Sequence, residues 1–318
     1  MGKKHLFTVF TPTHNRAHLI PKLYETLKNQ TCKDFVWLVV DDGSTDNTKE
    51  IIESFQRDNF IDIHYHFIPN GYLHLAESYS AKVVNSEYLV RIDDDDWLMD
   101  NCLEVFKNEW EKIRAEGIND IVEIRALAVK SDGTIAGSFQ PKINQAPIDT
   151  TYIERNFNSN TRLENIGCRR VDVWKQLFRD EGKWLYDKVT YISDSLFWCR
   201  LSMIGRTRYI FVPLRFYNDT DISITKESRK LSKQNLLNAV FGAYAKLNDM
   251  RVFYWKYPKE FFMDLVVYSV YGSILKYPFG KLLKTLDSPL CRFLFIPMWP
   301  IAYIYGRHMV KKGKVILY

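Results

Sequence analysis

The stretch YLVRIDDDDWLMD, residues 88–100, places four aspartates, Asp93 to Asp96, directly behind an apolar, strand-forming run. Carboxylates this close repel and raise one another's pKa, so a counter-charge is expected. A divalent cation would supply it. Mg²⁺ or Mn²⁺ takes hard oxygen ligands, often only one or two carboxylates, and completes its shell with water and substrate phosphates. Asp93 and Asp95 stand at i, i+2, on one face of an ideal strand. One can then reach a metal while the other meets water or a ribose. The competing reading is a solvated acidic turn. A second acidic pair, Asp41 and Asp42, opens DDGSTDNT behind the run FVWLVV. Gly43 permits a tight turn there, and Ser44, Thr45 or Asp46 can cap the helix that follows. Two consecutive acids exceed what a cap requires. A carboxylate at this place can accept from a base N–H or from ribose hydroxyls. Asp194, in YISDSLFWCRL, stands at a helix start. Either it or Ser193 caps that helix, or Asp194 is a general base for an acceptor hydroxyl. In PNG, Asn70 and Gly71 form a turn whose backbone could approach a ligand, and His74 beyond it reads as a surface helix residue.

These residues need elements to hold them. Apolar patterning predicts strands at 5–11, 35–41, 61–67 and 87–93, alternating with helices at 17–30, 46–58 and 72–85 and another from about 98 to 116. Such alternation specifies an α/β fold, a mainly parallel sheet with helices on both faces, whose ligands bind beyond the carboxyl ends of the strands. TPTHN, DDGSTDN, PNG and DDDD all fall at that edge. Beyond residue 120, DIVEIRALAV, KSDGT and IAGSF read as a hairpin, and 140–165 as a loop or flap. Residues 170–178 and 195–204 read as helices, 207–212 as a strand, and the chain from about 226 as helical and rich in aromatics.

With 318 residues the chain can form one sizeable domain and a smaller appendage. At 46% hydrophobic and 26% charged it is not a disordered chain. A net charge of +6 suits an anionic partner such as a nucleotide, a phosphate or a lipid surface. The five cysteines are scattered without CxxC pairs and read as free buried thiols in a reducing compartment. MGKKHLFTVF lacks the length and cleavage site of a signal peptide. The most apolar run, Phe293 to Gly306, is interrupted by Pro297 and Pro300 and flanked by Arg292 and Arg307. A cytoplasmic protein is expected.

Taken together, FTPTHNRAHLIPKLYETLKNQT, FVWLVVDDGSTDNTKEII, NGYLHLAESYSAKVVNSEYLVRIDDDDWL and YISDSLFWCRLSMIG resemble the family 2 glycosyltransferases, which have the GT-A fold. The likeness runs from about residue 5 to 220. It implies a nucleotide-sugar donor, a UDP-sugar being favoured and the base left open, a divalent metal (Mn²⁺ or Mg²⁺) and inversion at the anomeric carbon. It places Thr11 and Pro12 against the nucleotide and Asp42, beside Asp41, on the base. Asp93 and Asp95 match the DXD pair, with Asp95 on the metal, Asp93 on ribose or a metal-bound water, and Asp96 a competing ligand. Asp194 matches the catalytic base. The family usually has Glu before that Asp, where this chain has Ser193. No Gln-x-x-Arg-Trp motif is present, so the resemblance implies transfer of a single sugar rather than processive synthesis.

The expected organisation is a GT-A catalytic domain at 1–225 and a helical region at 226–318. The latter's apolar helices, interleaved with Lys and Arg, either pack on protein or rest on a membrane surface. That second role suits an acceptor glycan carried on a lipid diphosphate at the inner face of the cell membrane. No nucleic-acid partner is expected. Two other readings compete with glycosyl transfer. A nucleotidyltransferase usually carries a Gly-rich phosphate loop, and TPTHNRAH has no glycine. A binding module that had lost its base would keep the fold without turnover.

Overall fold

The computed structural model describes residues 4–69, 72–157, 163–218, 231–312 and residue 315. The chain divides into two compact units, Met1–Phe178 with Ile204–Asp219, and Arg179–Met203 with Thr220–Tyr318.

The first unit is built on β1 (Phe7–Thr13), β2 (Phe35–Asp41), β3 (Asp62–Phe67) and β4 (Tyr88–Arg91), laid side by side and parallel in the order β3-β2-β1-β4. β1 and β2 are buried along their whole length, as continuous apolar runs covered on both faces require. Helices α1 (Ile20–Lys28), α2 (Thr48–Asp58) and α4 (Cys102–Ala115) cover one face, where Leu23, Leu27, Phe106 and Trp110 meet Phe7 and Trp37. On the other face α3 (Leu73–Val83) and α6 (Val171–Leu177) lie together, and Trp174 Nε1 donates to Ser80 Oγ at 3.0 Å. His74 belongs to this buried layer, 2% exposed, and is not the surface residue expected of it.

Beyond β4 the sheet becomes mixed. β8 (Asn165–Arg170) runs antiparallel to β4 and to β6 (Ile121–Val129), and β9 (Arg206–Phe216) runs parallel to β6. The short strands β5 (Trp97–Leu98) and β7 (Ile148–Thr150) pair with β9. The hairpin expected after residue 120 is reduced to its turn. Gly133 closes that turn with φ +80°, but the returning arm makes only isolated bridges, Val129 to Ile135 and Gly137 to Leu163. Both edges of β6 are already taken, so no returning strand could pair along it. Residues 140–165 hold β7 and α5 (Tyr152–Phe157) rather than a bare loop.

The second unit is helical. α7 (Asp194–Ile204) accompanies helices at Lys233–Asp249, Pro258–Ile274, Phe279–Thr285 and Pro289–Lys311. The last helix runs on through Pro297 and Pro300. It lies close against the Pro258–Ile274 helix because Gly306 has no side chain, and a Cβ there would stand 2.5 Å from Ser273 Oγ. Among the described residues no helix is long and apolar enough to cross a membrane. All five cysteines are buried and unpaired.

Candidate active site

The carboxyl ends of β1, β2 and β4 converge, and their loops are tied together by short polar side chains. Asn15, in the left-handed region with φ +52°, accepts from Thr45 N at 2.7 Å through Oδ1 and donates its own N–H to Ser44 Oγ at 2.8 Å. Asp46 closes the turn that leads into α2 by accepting from Thr48 N at 3.1 Å, and its other oxygen accepts from Ala17 N at 3.0 Å. The two loops therefore hold each other, with Gly43 at φ +82° turning the second back towards the first.

Inside this frame the two acids after β2 differ. Asp41 is occupied: Oδ1 accepts from Ser44 N at 2.8 Å and Oδ2 from Tyr65 Oη at 2.7 Å. Asp42 is the open one. Its backbone is fixed, with N donating to Thr13 O at 2.8 Å and O accepting from His14 Nδ1 at 2.7 Å. Its Oδ1 is buried with no partner among the described residues. Burial and the neighbouring Asp41 push its pKa up to about 6, against the pull of His14. A buried acceptor left empty by the protein suits a donor N–H from outside. Thr11 is fully buried and its hydroxyl accepts from Trp37 Nε1 at 3.0 Å, so its side chain is committed to the core. Pro12 is buried within β1. Asn70 lies outside the described residues.

The four aspartates after β4 alternate. Asp94 and Asp96 are 4% and 2% exposed at the side chain, Asp93 and Asp95 36% and 19%. Three arginines answer their charge. Arg91 reaches Asp93 Oδ1 at 3.0 Å while also holding the buried Glu77 at 2.9 Å. Arg16 Nη1 lies 2.9 Å from both Asp94 Oδ1 and Asp95 Oδ2. Arg215 pairs with Asp96, whose other oxygen accepts from Asn218 N at 3.0 Å. Thr13 Oγ1 also donates to Asp94, at 2.8 Å. Burial pushes Asp94 up to about 6 and Asp96 up to about 7, whereas Arg91, Arg215 and Arg16 hold Asp93 below its ordinary value. Much of the counter-charge demanded by DDDD is thus supplied by the chain itself. Sequence reasoning assigned none of these arginines a role. Arg215 stands 119 positions from Asp96 and arrives only because β9 runs past residue 212, where the strand was expected to end.

A divalent cation still fits. Asp93 and Asp95 are the accessible members of the run, and each uses one oxygen in its ion pair, Asp93 with Arg91 and Asp95 with Arg16. Among the described residues no group of three or more His, Cys, Asp or Glu side chains could hold a metal ion. A metal here would need substrate oxygens and water to complete its shell. Both oxygens of Asp96 are engaged with Arg215 and Asn218.

In the second unit, Asp194 opens α7. The cap is Ser193, whose Oγ accepts from Ser195 N at 3.4 Å and whose carbonyl accepts from Leu196 N at 2.9 Å. Asp194 is therefore not consumed by capping, and its Oδ1 is buried without a partner among the described residues. Six residues on, Arg200 is 1% exposed and anchors the helix between two carboxylates, Asp180 at 2.5 Å and Asp249 at 2.6 Å.

The pattern described as glycosyl transferase family 2 matches residues 8–204, more than half of the chain. The chain belongs to that family. A Campylobacter jejuni GalNAc(5)-diNAcBac-PP-undecaprenol beta-1,3-glucosyltransferase is 32% identical over 101 residues, 30% of this glycosyltransferase and 31% of that protein. The Pasteurella multocida hyaluronan synthase is 27% identical over 251 residues, 71% of this chain and 25% of that one. The matches span between 16% and 36% of the length of the first four curated relatives. Among solved structures, S. aureus TarS 1-349 in complex with UDP-GlcNAc superposes with a TM-score of 0.58 at 16% identity, covering 96% of this chain and 92% of that one. The Pyrobaculum calidifontis mannosyltransferase PcManGT in complex with GDP-Man and Mn²⁺ gives 0.51 at 13% identity, covering 96% and 87%. The glycosyltransferase therefore has the GT-A fold.

Proposed function

We propose that this glycosyltransferase moves a single sugar, with inversion, from a nucleotide-sugar to a hydroxyl of a glycan or lipid-linked glycan in surface polysaccharide assembly. A UDP-sugar is the donor we favour. The observation that carries the reading is Asp194. A carboxylate at a helix start whose capping duty has passed to Ser193, with a buried oxygen left unpartnered, is what a general base requires. A binding module would have no use for it. Asp42 would accept from the base N–H of the donor nucleotide. Asp95 and Asp93 would hold Mg²⁺ or Mn²⁺, which when bound supplies positive charge to the departing diphosphate. Asp194 takes the proton from the acceptor hydroxyl as that oxygen attacks the anomeric carbon from the side opposite the diphosphate, inverting the centre. Catalysis is assigned to residues 1–225 and acceptor-side contacts to 226–318.

The names of the relatives support the donor and acceptor classes: a nucleotide-sugar in two solved complexes and an undecaprenol diphosphate glycan in one relative. The Pro289–Lys311 helix supports a membrane-surface location. Phe293, Ile296, Ile301 and Ile304 are 72%, 51%, 71% and 70% exposed, while Cys291, Phe295, Ala302 and Gly306 face inward. The helix carries no acid, and Arg292 and Arg307 bracket its apolar stretch. An outward apolar stripe with basic ends suits the face of an anionic bilayer.

Titration calorimetry with UDP, with and without Mn²⁺, and turnover of a panel of UDP-sugars test the reading. Wild-type protein should bind UDP far more tightly with the metal, and Asp95→Ala should lose that gain. Asp194→Ala should bind UDP normally and lose at least a thousandfold in turnover, at the upper part of the general-base range. Unimpaired turnover in Asp194→Ala would refute the assignment.

A further inference from the structure

Among the three arginines that answer the acidic run, Arg16 differs in kind. Arg91 is divided between Asp93 and the buried Glu77. Arg215 is 12% exposed and is fixed by Asp96 and by the Asn165 carbonyl, to which it donates at 3.0 Å. Arg16 sits on the loop between β1 and α1, is 32% exposed, and serves two carboxylates with one nitrogen. Its Nε and Nη2 have no hydrogen-bond partner among the described residues. If Arg16 swung away, Asp94 would keep Thr13 Oγ1 as a partner, at 2.8 Å. Asp95 has no other side-chain partner among the described residues.

We infer that Arg16 is a transferable counter-cation, resting on Asp95 until the donor arrives and then passing to the donor's diphosphate. This inference rests on the proposed donor and metal site and deepens it. A guanidinium and a divalent cation on the same carboxylate repel each other, so Arg16 would leave Asp95 if that carboxylate held the metal. The diphosphate arriving with the metal is the nearest compensating anion, and a guanidinium with two uncommitted donors matches it bidentately. Arg16 therefore opposes the metal when no nucleotide is present and assists the nucleotide when the metal is. It is a positioning residue for the diphosphate and exchanges no proton.

The two halves of that statement give effects of opposite sign. By calorimetry with MnCl₂ alone, Arg16→Ala should bind Mn²⁺ severalfold more tightly than wild type. With saturating Mn²⁺, the same variant should bind UDP about tenfold to a hundredfold more weakly, the range for losing hydrogen bonds to a charged group. Arg16→Lys keeps the charge without the fork. It should match wild type in Mn²⁺ affinity and fall between the two in UDP affinity, which guards against an alanine variant that folds poorly. Wild-type protein that binds both ligands, with Arg16→Ala matching it in each, would overturn this inference and leave the donor site standing. Weaker Mn²⁺ binding in Arg16→Ala, with an unchanged melting curve, would also overturn it. Wild-type protein that binds neither ligand would overturn the donor site as well.

Discussion

Asp42 shows how a single carboxylate can cost stability at a place where a ligand could use it. Its folded pKa of about 6 lies above the ordinary value of 3.8. The folded state thus holds that proton more tightly than the unfolded chain, and ionised Asp42 is a destabilising presence. That cost is complete above about pH 6 and fades as the pH falls through 6 towards 4. Asp42→Asn should accordingly raise the melting temperature at pH 8, equivalent to roughly 1–2 kcal/mol, and the gain should shrink at pH 4.5. The same variant should weaken UDP binding and flatten the rise in wild-type affinity between pH 5 and 7. The aspartates, their spacing and the strand ends that carry them were legible in the sequence. Their counter-charges were not. Local spacing exposes neither an arginine delivered across the sheet nor one borne on a neighbouring loop, and a run of acids read alone asks for a metal that Arg16, Arg91 and Arg215 partly replace.

At the scale of elements, what the sequence hid follows from buried charge. β8 reads NIGCRR, and its inward Arg169 meets the fully buried Glu123 of β6 at 2.6 Å, with Arg125 on the other oxygen at 2.8 Å. Alternation of apolar and polar residues cannot announce a strand whose buried face is itself ionic. Likewise β7 and α5, three and six residues long, are too short to show a period. By contrast β1, β2, α1 and α2 were plain, because the two strands are continuous apolar runs covered on both faces and the two helices turn one apolar stripe to the sheet. The ionic layer has a steric condition. A Cβ on Gly167 would stand 2.6 Å from Glu123 Oε1 and 2.7 Å from Arg169 Nη2. Gly167→Ala should force that pair apart and cost about 2–4 kcal/mol in chemical denaturation, of the order of breaking a buried ion pair. A loss below about 0.5 kcal/mol would show that the layer relaxes.

For the whole molecule, the outward face of the last helix makes a claim about where the enzyme works. Ile301→Glu combined with Ile304→Glu touches exposed positions only, so folding should be preserved. The double variant should float with phosphatidylglycerol vesicles at least tenfold less than wild type, since it loses buried apolar area and gains repulsion. Equal flotation of the two, or wild-type dimers that the variant splits in the absence of vesicles, would assign the face to something other than a membrane.

The pairing of Arg200 with Asp249 carries a consequence in time. A chain made from its N-terminus completes the sheet-bearing unit once residue 219 has emerged. At that moment the arginine anchoring the Asp194 helix still lacks its partner from the helix that ends at Asp249. On the ribosome, the half that would bind the nucleotide is finished first. The half carrying Asp194 is secured only after a further stretch of translation, so under the proposed roles the nascent enzyme would pass through a stage able to hold a donor but not to spend it.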